Sequence, residues 1–239
     1  MCVMCGIPSR RGLLTTAAAF AGAAALAGAG LRPAVAAPAG AVGGPSPDEA
    51  LARLKAGNRT YLEAPQLCEA NLASNRAAVA KGQTPWATVL ACSDSRVSPE
   101  LIFGGVGLGE LFVARNAGNV ADTSVLGSIE YALEHLHCPL VVVMGHKRCG
   151  AVAAACDVVK TGAELPGSIG PMVAAIAPAA RSVEGKPGEC VENAARQNAR
   201  NQAETVRKSG IFGGLAKAGK VKLVAAYYDL DTGAVEFLD

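Results

Sequence analysis

The stretch LFVARNAGNVADTSVLGSIEYALEHLHCPLVVVMG, residues 111–145, decides the fold. It opens on a short apolar run, LFVA, and closes on PLVVVMG, the most strand-like run in the chain. Between them Val125, Ile129, Ala132, Leu133 and Leu136 recur at helical spacing over residues 122–136. Strand, helix and strand in that order predict a parallel pair joined by a right-handed crossover, with both faces of the sheet covered. PWATVLA, residues 85–91, adds another buried strand upstream. The expected fold class is α/β, with a mostly parallel central sheet and flanking helices. In such sheets ligands gather beyond the carboxyl ends of the strands.

Working outward, SPDEALARLKAGNRTYLEA predicts a well-started helix. Ser46 caps it, Pro47 suits its first turn and Glu49 completes a capping box. Leu51, Leu54 and Leu62 are its expected apolar face, and Gly57 weakens its far end. Downstream, a helix is expected from Ala151, then a Gly- and Pro-interrupted region over 160–170, then a polar helix over about 189–208 in which Asn193, Asn198 and Asn201 stand among alanines. VKLVAAYYDLDTGAVEFL reads as two strands around DTG, a terminal hairpin with an exposed edge.

The first forty residues have a different composition. Arg10 and Arg11 precede a weakly hydrophobic Ala/Gly run, and AVA at residues 34–36 offers a cleavage site. This pattern is similar to a twin-arginine export signal, which implies passage across the membrane as a folded protein and a periplasmic or secreted location; the alternative is an ordinary Sec signal or an N-terminal anchor, for which the run is short and Ala-rich. The expected division is an export signal over 1–36, a flexible linker over 37–47 and one domain over 48–239, a length that fills a single core. Cleavage removes three arginines and no acid, moving the formal charge from +2 to −1. No basic excess remains to point to nucleic acid, and no stable membrane association is expected after cleavage. Cys2 and Cys5 would be discarded with the signal.

The chemistry-bearing residues follow the strands. ACSDSRVSPELIF begins at Ala91 and places Cys92, Asp94 and Arg96 directly after the first apolar run, while GHKRCG places His146 and Cys149 after the strongest one. Two thiolates and one imidazole suit Zn2+. From spacing alone two sites fit: an open one with three protein ligands, or a closed one with Asp94 as the fourth. Buried thiols with a turn histidine would leave no metal site. Ser93 and Ser95 lack the surroundings of a nucleophile elbow and are read as turn formers.

CSDSRV with GHKRCG resembles the β-class carbonic anhydrases, as do AGNRTY, GELFVARNAGN, SIEYAL and the closing hairpin, in that family's order from about Asp48 to the last residue. The resemblance implies zinc on Cys92, His146 and Cys149, and an Asp94–Arg96 dyad that keeps the carboxylate off the metal. It implies reversible hydration of carbon dioxide to bicarbonate by a zinc-bound hydroxide, in a pocket lined by Gln83, Phe112, Ala117 and Tyr131, with Gln83 donating toward the substrate. It also implies a homodimer or tetramer, with N-terminal helices embracing the partner and the cleft at the subunit interface. Val89 stands where some bacterial relatives carry a tryptophan that serves an inhibitory bicarbonate site, so that switch is not expected; the chain's tryptophan is Trp86. The alternatives are hydrolysis of carbon disulfide or carbonyl sulfide on the same scaffold, and a non-catalytic zinc-stabilised binding protein. His135 and His137 close the crossover helix and are weak candidates for proton shuttles. Cys68, Cys138, Cys156 and Cys190 are left over, with disulfides permitted in an oxidising compartment.

Overall fold

Five strands form one sheet: β1 (Ala87–Cys92), β2 (Leu111–Asn116), β3 (Leu140–His146), β4 (Lys222–Tyr228) and β5 (Val235–Leu238), in the spatial order β2-β1-β3-β4-β5. The computed structural model describes residues 44–67 and 76–238, which belong to one compact unit. The expected export signal, Cys2, Cys5, Cys68 and most of the expected linker lie outside the described residues. Among the described residues the helices are α1 (Pro47–Glu63), α2 (Arg76–Val79), α3 (Pro99–Ile102), α4 (Thr123–Glu134), α5 (Gly150–Thr161), α6 (Ile169–Ala174), α7 (Ala177–Val183), α8 (Cys190–Arg207) and α9 (Gly210–Lys217). None of them is long and apolar enough to cross a membrane.

β1 to β4 run parallel, and only β5 turns back, pairing antiparallel with β4 as the DTG hairpin requires. Every residue of β1 and β3 is buried, because helices cover both faces. Alternate residues serve the two sides. Leu90, Cys92, Val141 and Val143 pack with residues of α4, α5, α7 and α8, whereas Val89, Ala91, Val142 and Met144 pack with those of α1 and α3. From β1 the chain moves outward to the β2 edge, and from β3 it moves the other way to β4. The crevice between the ends of β1 and β3 is therefore the topological switch point, where open α/β sheets bind ligands.

The capping box of α1 forms in both directions, Ser46 Oγ accepting from the Glu49 amide and Glu49 accepting from the Ser46 amide. Leu51 and Leu54 are buried as expected, but Leu62 is 43% exposed, and Asn58 occupies the buried stripe instead. Asn58 donates to the carbonyls of Ile102 and Gly233 and accepts from the Val235 amide, tying α1 to α3 and to the hairpin. Gly57 is required by contact: a Cβ there would lie 1.9 Å from the Phe103 carbonyl oxygen. The AGN of the AGNRTY motif thus describes a close helix crossing. The apolar face of α1 is covered by the chain's own sheet, so its amphipathic pattern needs no partner.

Candidate metal centre

Ala91 of β1 pairs with Met144 of β3, so Cys92 and His146 leave neighbouring strands one and two residues further on. Cys149 reaches the same point as the N-cap of α5, three residues after His146. The turn between them holds Arg148 at φ 51, a left-handed conformation uncommon for a side-chain-bearing residue. The ligand atoms of Cys92, His146 and Cys149 all lie within 4.8 Å of one another and all three residues are buried. The two sulfurs are 3.9 Å apart.

The donor set fits a soft divalent cation such as zinc. His146 Nδ1 lies 2.9 Å from the Lys147 carbonyl oxygen, which can only accept, so Nδ1 carries the proton and Nε2 keeps its lone pair. Nε2 is fully buried and has no hydrogen-bond partner. A buried acceptor left alone is costly, and a cation between it and the two sulfurs satisfies it. The sulfurs tell the same story. A hydrogen bond from Cys149 pulls the Cys92 thiol down to about 4, with burial opposing and His146 and the amides of Gly118 and Asp94 assisting. The shared proton and burial push Cys149 upward, against the amides of Ala151 and Val152 at the start of α5. The two buried sulfurs, 3.9 Å apart beside Nε2, are placed to bind one cation together.

Asp94 and Arg96 lie beside this cluster. Arg96 Nε donates to Asp94 Oδ1 at 2.9 Å and Nη2 donates to Oδ2 at 2.7 Å, while the Arg96 amide also donates to Oδ1 at 3.0 Å. Both carboxylate oxygens are thereby occupied, and the guanidinium holds Asp94 well below the usual carboxylate range. Asp94 Oδ2 is 4.0 Å from His146 Nε2, close enough to share a small ligand with it.

Three positioning devices were not read from the sequence. Arg115 of β2 donates to the carbonyls of Cys92 at 2.9 Å and Asp94 at 2.7 Å, fixing the loop that carries both. The Gly118 amide donates to Cys92 Sγ at 3.3 Å. Gly118 has φ 79, and a Cβ there would lie 2.4 Å from Ile176 Cδ1, so no other residue fits without displacement. Asn198 of α8 donates to the Gly118 carbonyl at 2.8 Å, and its own carbonyl accepts from Gln202, whose oxygen accepts from the Ala121 amide. The asparagine noticed among alanines is the backing of a ligand loop.

The four residues assigned to one pocket are not together. Ala117 adjoins Gly118 at the centre. Phe112 pairs with Thr88, four strand positions before Cys92, or about 13 Å along the strand. Tyr131, 41% exposed, stacks between Phe112 and His135 with ring centres 6.3 and 5.0 Å apart. Gln83 is exposed and precedes β1, so its amide needs no buried partner within this chain. His135 and His137 precede β3, at the end of the strand opposite His146, which removes the geometric basis for a shuttle within the chain. Val89 is buried and Trp86 donates to Glu110 at 3.3 Å.

Comparison with known proteins gives the class. The carbonic anhydrase family model matches residues 87–235. Carbonic anhydrase 2 of Mycobacterium tuberculosis is 36% identical over 203 residues, covering 81% of this chain and 94% of the relative. The carbonic anhydrase of Mycolicibacterium smegmatis is 37% identical over 196 residues, covering 80% and 93%. Among solved structures the β-carbonic anhydrase CcaA superposes with a TM-score of 0.64 at 26% identity, covering 79% of this chain and 95% of that one. The chain belongs to the β-class carbonic anhydrase family. It is an enzyme of carbon dioxide hydration, which sets aside the reading as a non-catalytic binding protein.

Proposed function

We propose that Cys92, His146 and Cys149 hold one zinc ion and that Asp94 and Arg96 act as a unit beside it in the hydration of carbon dioxide. The observation that carries this is the buried, unpartnered Nε2 of His146 facing two sulfurs, with the Arg96-bound carboxylate 4.0 Å away. Zinc, when bound, supplies the Lewis acidity that makes water nucleophilic near neutral pH.

The chain's residues do the rest. His146 is held in one tautomer by the Lys147 carbonyl, and Cys92 has its sulfur charge stabilised by the Gly118 amide. Asp94 stays ionised because Arg96 engages both its oxygens, so it accepts a hydrogen bond from water and orients it. The same engagement restrains Asp94 from turning toward the metal, which supports the open site over the closed one. Arg96 is half exposed and can release the carboxylate only by losing two charge-assisted bonds.

The separation of Gln83, Phe112 and Tyr131 from their own chain's centre supports a homodimer in which these residues line the cleft of the partner copy. Ala117 serves the centre of its own chain. Export as a folded, metal-loaded protein remains the reading of Arg10 and Arg11; replacing both with lysine should strand the precursor, and unchanged delivery would point to another route.

Stopped-flow hydration of carbon dioxide tests the dyad. Wild type should be fast, while Asp94→Asn and Arg96→Ala should each retain zinc and lose ~10²- to 10⁴-fold in rate. Zinc-loaded wild type no faster than buffer would overturn the activity. Fast turnover of carbon disulfide in that preparation would move the substrate to the sulfur analogues. Full activity in both variants would leave the zinc site standing and remove the dyad.

A further inference from the structure

Cys156 lies on α5 and Cys190 opens α8, 34 positions apart, yet their sulfurs approach to 2.8 Å. Both are free thiols, Cys156 half-buried and Cys190 exposed to solvent. We propose that Cys156 and Cys190 form a disulfide when the protein meets a disulfide-bearing oxidant, stapling α5 to α8 across the intervening α6 and α7.

The pair sits where a covalent link has consequences. α5 begins at the ligand Cys149, and α8 carries Asn198 and Gln202, which brace the Gly118 loop. The excursion enclosed by the staple carries Ile176, which packs against that same loop. Closing a loop of this length restricts the unfolded chain substantially while asking little of the folded one, because the sulfurs already meet. The zinc thiols do not compete once metal occupies them, since Cys92 and Cys149 are buried whereas Cys190 is open to reagents.

The chemistry is two successive exchanges. The Cys190 thiolate attacks one sulfur of oxidised glutathione, releasing one reduced glutathione and forming a mixed disulfide. Cys156 then gives up its proton and displaces the second glutathione from Cys190 Sγ. Two protein thiols are oxidised and one glutathione disulfide is reduced to two thiols. Burial, followed by the hydrogen bond with Cys190, raises the Cys156 thiol to about 12, which makes Cys190 the entry point and the second exchange the slower one.

The proposal is independent of the catalytic reading. The test uses zinc-loaded full protein treated with oxidised glutathione or with dithiothreitol, with zinc content followed in parallel. Non-reducing peptide mapping should find Cys156 joined to Cys190, with both thiols lost to alkylation and zinc retained. The oxidised form should melt about 5–10 °C above the reduced form. That difference should vanish in Cys190→Ala, a change at an exposed position that leaves the fold intact and Cys156 alkylatable after denaturation. Full alkylation of both thiols after oxidation, a persistent glutathione adduct on Cys190, or linkage of either to another cysteine would each overturn the staple. So would a melting difference that survives in Cys190→Ala.

Discussion

The two strand ends that supply the ligands are held in different ways. At the end of β1, Cys92 and its loop are secured by Arg115 on two backbone carbonyls, by the Gly118 amide and by the buried amides of Asn198 and Gln202. At the end of β3 the turn from His146 to Cys149 is continuous with a strand on one side and α5 on the other; the Lys147 amide donates to the Tyr228 carbonyl at 2.9 Å, and the turn's outward side-chain contacts are ion pairs. Lys147 meets Asp229 at 3.0 Å and Asp231 at 3.1 Å, and Arg148 makes a two-pronged pair with Asp231. Arg115 is charged and exposed, but the Asn198 and Gln202 hydrogen bonds behind it are buried and neutral, so they resist salt and are costly to break on one side, whereas half-exposed ion pairs are screened and weak. The β1 loop is therefore the end whose precision depends on distant residues. The β3 turn owes its position mainly to the chain on either side of it.

The largest expected effect is common to both ends. Replacing Cys92 by serine or His146 by alanine should abolish stoichiometric zinc, a greater loss than the ~10- to 100-fold typical of removing an outer partner. Next comes Gly118→Ala, which combines a left-handed backbone with a Cβ 2.4 Å from Ile176 Cδ1 and 3.2 Å from Ala151 Cβ. It should destabilise the fold by about 1–3 kcal/mol in denaturant titration and weaken zinc binding. Asn198→Ala leaves the Gly118 carbonyl and part of Gln202 without partners. A loss of about 1–3 kcal/mol is expected, with zinc affinity reduced roughly tenfold in chelator competition.

The smallest effect belongs to the β3 side. Asp231→Asn should move the melting temperature by no more than about 2 °C, a difference that about 1 M salt removes. The pH behaviour has a definite sign. Arg148 first and Lys147 second hold the Asp231 carboxyl below its ordinary value, so its contribution is complete above the ordinary carboxylate range, ~4, and is lost only as pH falls below it. A larger cost for Asp231→Asn than for Asn198→Ala would break the contrast between the two ends.

Much of this architecture was legible in the residues. β1 and β3 are apolar runs buried on both faces, and the crossover helix α4 carries an apolar stripe, so a parallel sheet covered by helices was readable. The three ligands were legible because each ends a strand or caps the helix after it. α6, α7 and α9 were not, being short and rich in alanine and glycine; packing of Val173, Ile176, Ala180, Val183 and Phe212 makes them helical, not local preference. Leu62 and Asn58 exchanged roles because hydrophobicity does not register a backbone that needs three hydrogen bonds. Arg115, Gly118 and Asn198 act across 21 to 80 positions, and nothing in their neighbours announces a partner so far away. For Gln83, Phe112 and Tyr131 a motif could assign a pocket but not the end of the sheet on which each would stand.

X-ray absorption at the zinc edge of the purified protein tests the central claim most directly. One zinc per chain is expected, with two sulfur ligands at ~2.3 Å, one imidazole nitrogen at ~2.0–2.1 Å and one further light-atom ligand. His146→Ala should abolish the imidazole signature, and Cys149→Ser should remove one sulfur from whatever zinc remains. A zinc bound by four sulfurs, a shell of nitrogen and oxygen alone, or folded protein that holds no zinc would contradict it.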